Sequence, residues 1–302
     1  MHIKIGTRGS KLALAQTGYV KERLESAFPE NTYEIVVIRT TGDKDLTKPL
    51  DQIGSKGMFV DEIENALLGD DIQLAVHSMK DMPSNPAKGL IFAKAWKRED
   101  PRDVLLLKDG TDISDLPIGA NVATGSKRRS FQLLRLRPDL NIVPIRGNID
   151  TRIRKLGEGL DDGTRLDGIV LAAAGLNRLD IRFENRYYFD ADEMIPAPAQ
   201  GTLAIELNEK NTELKEMVDS LGDDFADKIA YLERGFLKKI GGDCHLPIGA
   251  YAYREKDKFV LKAMFGNEDG SRLVFASEEN VKACEELVDR VVADIVEMLE
   301  KN

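Results

Sequence analysis

Two short stretches with prolines restrict what this chain can fold into. Lys97-Arg98-Glu99-Asp100-Pro101-Arg102 is densely charged, and Ile195-Pro196-Ala197-Pro198-Ala199-Gln200-Gly201 holds two prolines and a glycine. Proline fixes φ, withholds an N–H and pushes the residue before it out of the helical region. Both stretches therefore read as crossings rather than as parts of a helix or central strand. Outside the pair, strand-like runs over 2–7, 34–40, 74–77, 91–95 and 203–206 accompany helical patterns such as 10–28, with Leu12, Ala15, Tyr19 and Leu24 expected inward. Between the crossings, strands are expected at 104–107, 121–124, 141–144 and 168–172. This pattern predicts an α/β chain of two lobes, the second inserted into the first. The expected domains are 1–96 with 202–219, then 102–195, then 224–302. After helical patterns over 211–221 and 225–240, the last contains three alternating strands and a terminal helix, a small α+β domain. No internal repeat is visible.

Composition narrows the function. Of 302 residues, 42% are hydrophobic and 31% charged, as in a globular protein, and the net charge is −9. A general nucleic-acid binder needs a basic field to gain from counterion release, so that class is not expected. No apolar run approaches the ~20 residues that span a membrane. Met1 to Gly6 passes directly into a strand pattern with no apolar signal core, so no secretion signal is expected and the location is read as cytoplasmic. In that compartment a Cys244–Cys284 disulfide is not expected.

The two cysteines differ in context. Val281, Cys284, Val288, Val291 and Ile295 recur at spacings of three and four, one face of a helix, which makes Cys284 packing. Cys244 lies in Gly241-Gly242-Asp243-Cys244-His245-Leu246-Pro247-Ile248-Gly249. A thiol between a glycine pair and a proline turn suits either a covalent attachment point or a small inert hydrophobe.

Several strand ends carry chemistry. In open α/β sheets ligands bind beyond the carboxyl ends of the strands. Thr7-Arg8-Gly9-Ser10 joins a strand to a helix, with Ser10 as a plausible N-cap; an anion site and a plain cap are both open. Lys80 and Asp81 follow the short strand 74–77. Gly54-Ser55-Lys56-Gly57 lacks the full phosphate-loop pattern, so no nucleotide site is read there. From 124 to 154 there are eight basic residues (Lys127, Arg128, Arg129, Arg135, Arg137, Arg146, Arg152, Arg154) against two acidic (Asp139, Asp150), a local +6 in a chain of −9. Arginine forms paired bonds to carboxylate or phosphate. Its repeated placement at strand-to-helix junctions points to a cleft for a polyanion. His2, His77 and His245 are scattered, so no metal site is read.

Taken together, the motifs resemble the porphobilinogen deaminase (hydroxymethylbilane synthase) family. They are Thr7-Arg8-Gly9-Ser10, Gly54-Ser55-Lys56-Gly57-Met58-Phe59, His77-Ser78-Met79-Lys80-Asp81-Met82-Pro83, Thr124-Gly125-Ser126-Lys127-Arg128-Arg129, Arg146-Gly147-Asn148, Ala174-Gly175-Leu176-Asn177-Arg178-Leu179, Gln200-Gly201, and Cys244 with Pro247-Ile248-Gly249. They cover nearly the whole chain in the family's order.

The resemblance implies two lobes like those of periplasmic binding proteins and a third domain with the cysteine. It implies a transferase of tetrapyrrole (porphyrin, heme) biosynthesis, joining four porphobilinogen units into hydroxymethylbilane with release of ammonia. A dipyrromethane primer would hang from Cys244 by a thioether. Asp81 would be the catalytic acid. Lys80, Asp81, Thr124, Ser126, Arg128, Arg129 and Arg146 would hold the cofactor, and Arg8, Ser10, Gln16, Lys56, Phe59, Arg152, Arg178 and Gln200 the substrate. No metal, nucleic acid or membrane partner is implied, and a monomer is expected. Pyrrole acetates and propionates are fitting partners for the arginines, and a carboxylate suits the positive charge that develops as an amine leaves. To donate a proton near neutral pH, Asp81 would need a raised pKa or a well-placed leaving group.

Two positions depart from the family pattern: Gln52 where lysine is frequent, and Asp243 before the cysteine, which should raise its thiol pKa. The rival reading is a non-catalytic α/β binding protein for polyanions or amino acids, which has no need of Cys244 or Asp81.

Overall fold

A computed structural model describes residues 1–40, 60–241 and 246–301. The chain divides into two compact units, residues 1–98 with 202–227, and residues 99–201 with 228–302. The chain thus leaves the first unit within one proline-bearing stretch and returns to it directly after the other.

The first unit is built on a five-stranded sheet. Its strands are β1 (His2–Thr7), β2 (Thr32–Val37), β3 (Leu74–Ser78), β4 (Leu90–Phe92) and β10 (Leu203–Asn208), in the order β2-β1-β3-β10-β4. β1 runs parallel to β2 and β3, and β10 runs antiparallel to β3 and β4. Ile3, Ile5, Val76 and Ile205 pack with Leu24 of α1 (Lys11–Ala27) and Leu214 of α6 (Thr212–Asp219). Ala75 and Leu90 pack instead with Ile63 and Leu67 of α2 (Asp61–Leu68). Burial on both faces explains why β3 reads as an unbroken apolar run.

α1 buries Leu24 as its spacing predicts, but the rest of its inward face differs. Gln16, Thr17, Val20 and Leu24 are buried, whereas Tyr19 is exposed and Leu12 and Ala15 are half-buried. Two polar residues on the buried stripe hide it from a hydrophobic reading. Tyr19 instead sets its ring edge-on to Trp96, centroids 6.4 Å apart.

The second unit repeats the plan. Its sheet contains β5 (Asp103–Leu107), β6 (Asn121–Ala123), β7 (Asn141–Val143), β8 (Gly168–Ala172) and β9 (Arg186–Tyr188), in the order β7-β6-β8-β5-β9. β6 is parallel to β7 and β8, and β5 is antiparallel to β8 and β9. Val104 and Leu106 pack with Leu156 of α4 (Ile149–Glu158) and Leu176 of α5 (Ala173–Arg178). Leu105 and Leu107 pack with Leu133 of α3 (Lys127–Leu136) on the opposite face.

The C-terminal part is an antiparallel meander of β11 (Ile248–Glu255), β12 (Lys258–Gly266) and β13 (Leu273–Asn280). It packs on Leu232 and Phe236 of α7 (Asp224–Lys239) and on Leu287, Val288, Val291 and Ile295 of α8 (Glu285–Glu300). The expected terminal helix starts later than its spacing suggests. β13 pairs as far as Asn280 with Phe259, Val281 is exposed, and Cys284 is the half-buried N-cap residue of α8, packed against this core. Among the described residues no helix is long and apolar enough to cross a membrane.

Candidate active site

In the first unit, candidate residues gather where β1 and β3, parallel neighbours, end. After β1 the chain passes through Arg8 and Gly9 to Ser10, whose Oγ accepts from Ala13 N–H at 3.2 Å and caps α1. After β3 comes a 3₁₀ turn, Met79–Asp81. Met79 and Met82 are buried on either side of Lys80 and Asp81, and Met79 N–H donates to the Thr202 carbonyl at 3.0 Å. The turn is thus pinned to the returning β10, Lys80 is half-buried, and Asp81 is exposed. The two strand ends are joined by Gln16, whose Nε2 donates to Ser78 Oγ at 2.9 Å.

On this sheet the ring of buried His77 lies 3.4 Å from buried Glu206. Burial, then the charges of Glu206 and Asp61, push the Glu64 carboxyl up to about 7.

In the second unit the parallel strands β6, β7 and β8 end beside one another. Thr124 follows β6; it is buried, and its Oγ1 accepts from Ser126 N–H at 3.2 Å. Ser126 is the N-cap residue of α3 without a side-chain capping bond, and Asn148 stands likewise at α4. Between β7 and α4 come Arg146 and Gly147, the latter at φ +106°, where a Cβ would lie 3.0 Å from Thr151. Arg152 Nε donates to the Gly147 carbonyl at 2.8 Å. Arg178, ending α5, donates to the Gly201 carbonyl at 2.6 Å.

Arg128 and Arg129 converge on Asp103, the first residue of β5. The carboxylate is wholly buried and the arginines are 4% and 6% exposed. Arg128 Nη1 donates to Asp103 Oδ2 and to the Ile195 carbonyl, both at 2.7 Å. Arg129 commits all three nitrogens to protein: Nε and Nη2 to Asp103 Oδ1, and Nη1 to the Val170 carbonyl. Gln200 Nε2 also donates to Asp103 Oδ1, at 3.0 Å, and to the Pro101 carbonyl at 2.7 Å. Burial alone would push the Asp103 carboxyl up. The charges of Arg128 and Arg129, with bonds from Arg128 and Gln200, more than reverse this and hold it well below the usual carboxylate range.

Three other arginines of the basic stretch have protein partners. Arg137 pairs with Asp139, Arg154 with Glu158, and Arg135 donates to the Asp192 and Glu193 carbonyls with its guanidinium over Phe275. Sequence reasoning missed Asp103, Ser78 and the bond between Gln16 and Ser78. Only Asp103 left a signal: a charge heading the apolar run Val104–Leu107 needs a partner.

Comparison with known proteins decides the family. A family model described as porphobilinogen deaminase, dipyromethane cofactor binding domain, matches residues 3–216, and one described as porphobilinogen deaminase, C-terminal domain, matches residues 228–297. The chain belongs to the porphobilinogen deaminase family. The porphobilinogen deaminase of Lachnospira eligens is 57% identical over 275 residues, covering 91% of this chain and 92% of its own. That of Clostridioides difficile is 49% identical over 278 residues, covering 92% and 91%. Among solved structures, the methionine binding protein MetQ gives a TM-score of 0.44 at 15% identity, covering 73% of this chain and 89% of that one. Within the porphobilinogen deaminase pattern, Cys244, Lys56 and Phe59, with the departures Gln52 and Asp243, lie outside the described residues.

Proposed function

We infer that this chain assembles hydroxymethylbilane from four porphobilinogen units, releasing ammonia at each addition, in tetrapyrrole biosynthesis. The observation that carries the reading is the pair of porphobilinogen deaminase family matches, which together span residues 3–216 and 228–297. We assign cofactor attachment to Cys244, and read the enzyme as a cytoplasmic monomer.

The second unit's residues fit a ligand bearing several carboxylates. The N-cap side chains at Ser126 and Asn148 do not close their own helices, so first-turn N–H groups stay open to an anion. Arg128 engages Asp103 and the Ile195 carbonyl through Nη1, and these bonds do not use Nε or Nη2. Thr124, Ser126, Arg128 and Arg146 hold the dipyrromethane in this assignment, and Arg129 backs Arg128 by sharing Asp103. When bound, the dipyrromethane supplies the nucleophilic pyrrole end from which the product grows.

Asp81 carries the chemistry in the first unit. Its exposure on a turn pinned at both flanks lets it reach a ligand without loss of position. It donates a proton to the amine of porphobilinogen as the carbon–nitrogen bond breaks and ammonia departs. Its carboxylate then faces the cationic methylene, whose attack by the pyrrole carbon forms the new carbon–carbon bond, and it takes up the proton lost from that carbon. Lys80, Arg8, Ser10 and Gln16 contribute to carboxylate binding on the same strand ends, and Arg152, Arg178 and Gln200 do so in the second unit. Lys56 and Phe59 are assigned to substrate by family position.

The test is porphobilinogen consumption with ammonia release by the purified chain. Turnover is expected; its absence, with a protein mass equal to that of the sequence alone, would refute the reading. A binding protein for polyanions would show that unprimed mass.

A further inference from the structure

We propose that Glu233 is a positioning residue for this reaction: it ties the elements flanking the cysteine loop to the arginine cluster through the strap 195–201. The inference rests on the porphobilinogen deaminase reading and adds a residue to it.

Glu233 lies on α7 and is completely buried. Its Oε2 accepts from Ala199 N–H at 2.6 Å and its Oε1 from Ala252 N–H at 2.8 Å. A buried carboxylate is costly unless its oxygens are bonded; here they clamp two separate segments. Ala199 is held at φ +59°, a left-handed conformation that is strained for a non-glycine residue. The strap therefore contains local strain that a bond from outside must hold.

The rest of the strap is gripped along its length. Gln132 bonds both backbone groups of Ile195, at 2.8 and 3.1 Å. Ala250 N–H donates to the Pro196 carbonyl at 3.0 Å. A Cβ on Gly249 would lie 3.0 Å from the Ile195 carbonyl, so β11 approaches as closely as backbone allows. Next after Ala199 comes Gln200, whose amide bonds Asp103, the shared partner of Arg128 and Arg129. Ile195 itself accepts from Arg128.

Cys244 falls in sequence between α7 and β11, the two elements that hold the strap. Glu233 thereby sets the position of Gln200, and through Asp103 that of Arg128, relative to the roots of the cysteine loop. It acts through these residues and not on substrate.

The test compares wild type, Glu233→Gln and Glu233→Gln with Ala199→Gly. Glutamine keeps the shape but turns an NH2 toward one of the two N–H groups. Glycine takes the left-handed conformation without strain. Amide hydrogen exchange is followed over 195–201 and over 126–130, with KM and kcat for porphobilinogen alongside. Glu233→Gln is expected to speed exchange about tenfold in both segments, as for loss of one charge-assisted bond. KM should rise by a similar factor while kcat stays within about twofold. Ala199→Gly should reverse most of both changes. Glu233→Asp, with its shorter reach, should give a milder form of the pattern and serves if the glutamine variant does not fold. Unchanged exchange at 126–130, or a KM rise that glycine does not reverse, overturns the proposal. Absence of wild-type turnover counts against the function reading instead, and the exchange result still decides the inference.

Discussion

Asp81 sits between two buried methionines, so asparagine at that position keeps the turn and removes only the acid. The account predicts that Asp81→Asn lowers kcat about a hundredfold or more and leaves the protein mass at its primed value. Steady-state kinetics and intact mass spectrometry check both. Asp103 has the opposite surroundings. Asparagine there leaves two buried guanidinium groups without their countercharge, and breaking a buried pair in this way costs about 3–5 kcal/mol. The Asp103 carboxyl is depressed in the folded protein, so its contribution is present above the ordinary carboxylate value and is lost only as pH falls through the depressed folded value. Urea unfolding of Asp103→Asn should show its full deficit at pH 7, shrinking only in strong acid. Glu64 has the reverse sign. Its folded value is raised to about 7, so stability is fully present below its unfolded value and declines as pH rises through neutrality. Glu64→Gln should stabilise the protein at pH 8 and leave it nearly unchanged at pH 4; equal effects at both would contradict the assignment.

At the scale of elements, hydrophobic periodicity found most strands and helices because burial on a sheet face imposes it, but it did not mark β9, a three-residue edge strand beside β5. It failed where polar groups share the buried face. Gln16 and Thr17 lie on the inner stripe of α1, and Tyr19 is outside it because Trp96 offers its ring an edge contact. The spacing of Val281 and Cys284 suggests an earlier start for the last helix than the structure has, because the chain there is still completing β13 and an N-cap. The junction after β7 gives a direct test. At Gly147 alanine would meet both a left-handed φ and Thr151. Gly147→Ala should lower stability by about 1–2 kcal/mol and raise KM more than it lowers kcat, since Arg152 is bonded to that carbonyl. Thermal melts and initial rates separate the two effects.

For the whole molecule, proline and charge mark the stretches 97–102 and 195–201 without any tertiary information, and the boundaries between the two units fall at 98/99 and 201/202, with a further one at 227/228 that no such signal marks. The duplication was not legible. Each sheet places three parallel strands beside an antiparallel fourth, and that fourth strand, β10 or β5, is the one that adjoins a crossing. Strand order arises from backbone pairing and the handedness of connections, which leave no shared residues to compare. The local excess of positive charge was legible as a sum, though Arg135, Arg137 and Arg154 proved to face protein partners, and the burial of Arg128 and Arg129 depends on Asp103 lying far off in sequence. The central claim is that product grows on a primer held by this chain. Intact mass after sub-stoichiometric porphobilinogen tests it most directly. A starting mass above that of the sequence by one dipyrrole, followed by a ladder of single-pyrrole steps, is predicted. A mass equal to the sequence alone, before and after substrate, would contradict the account.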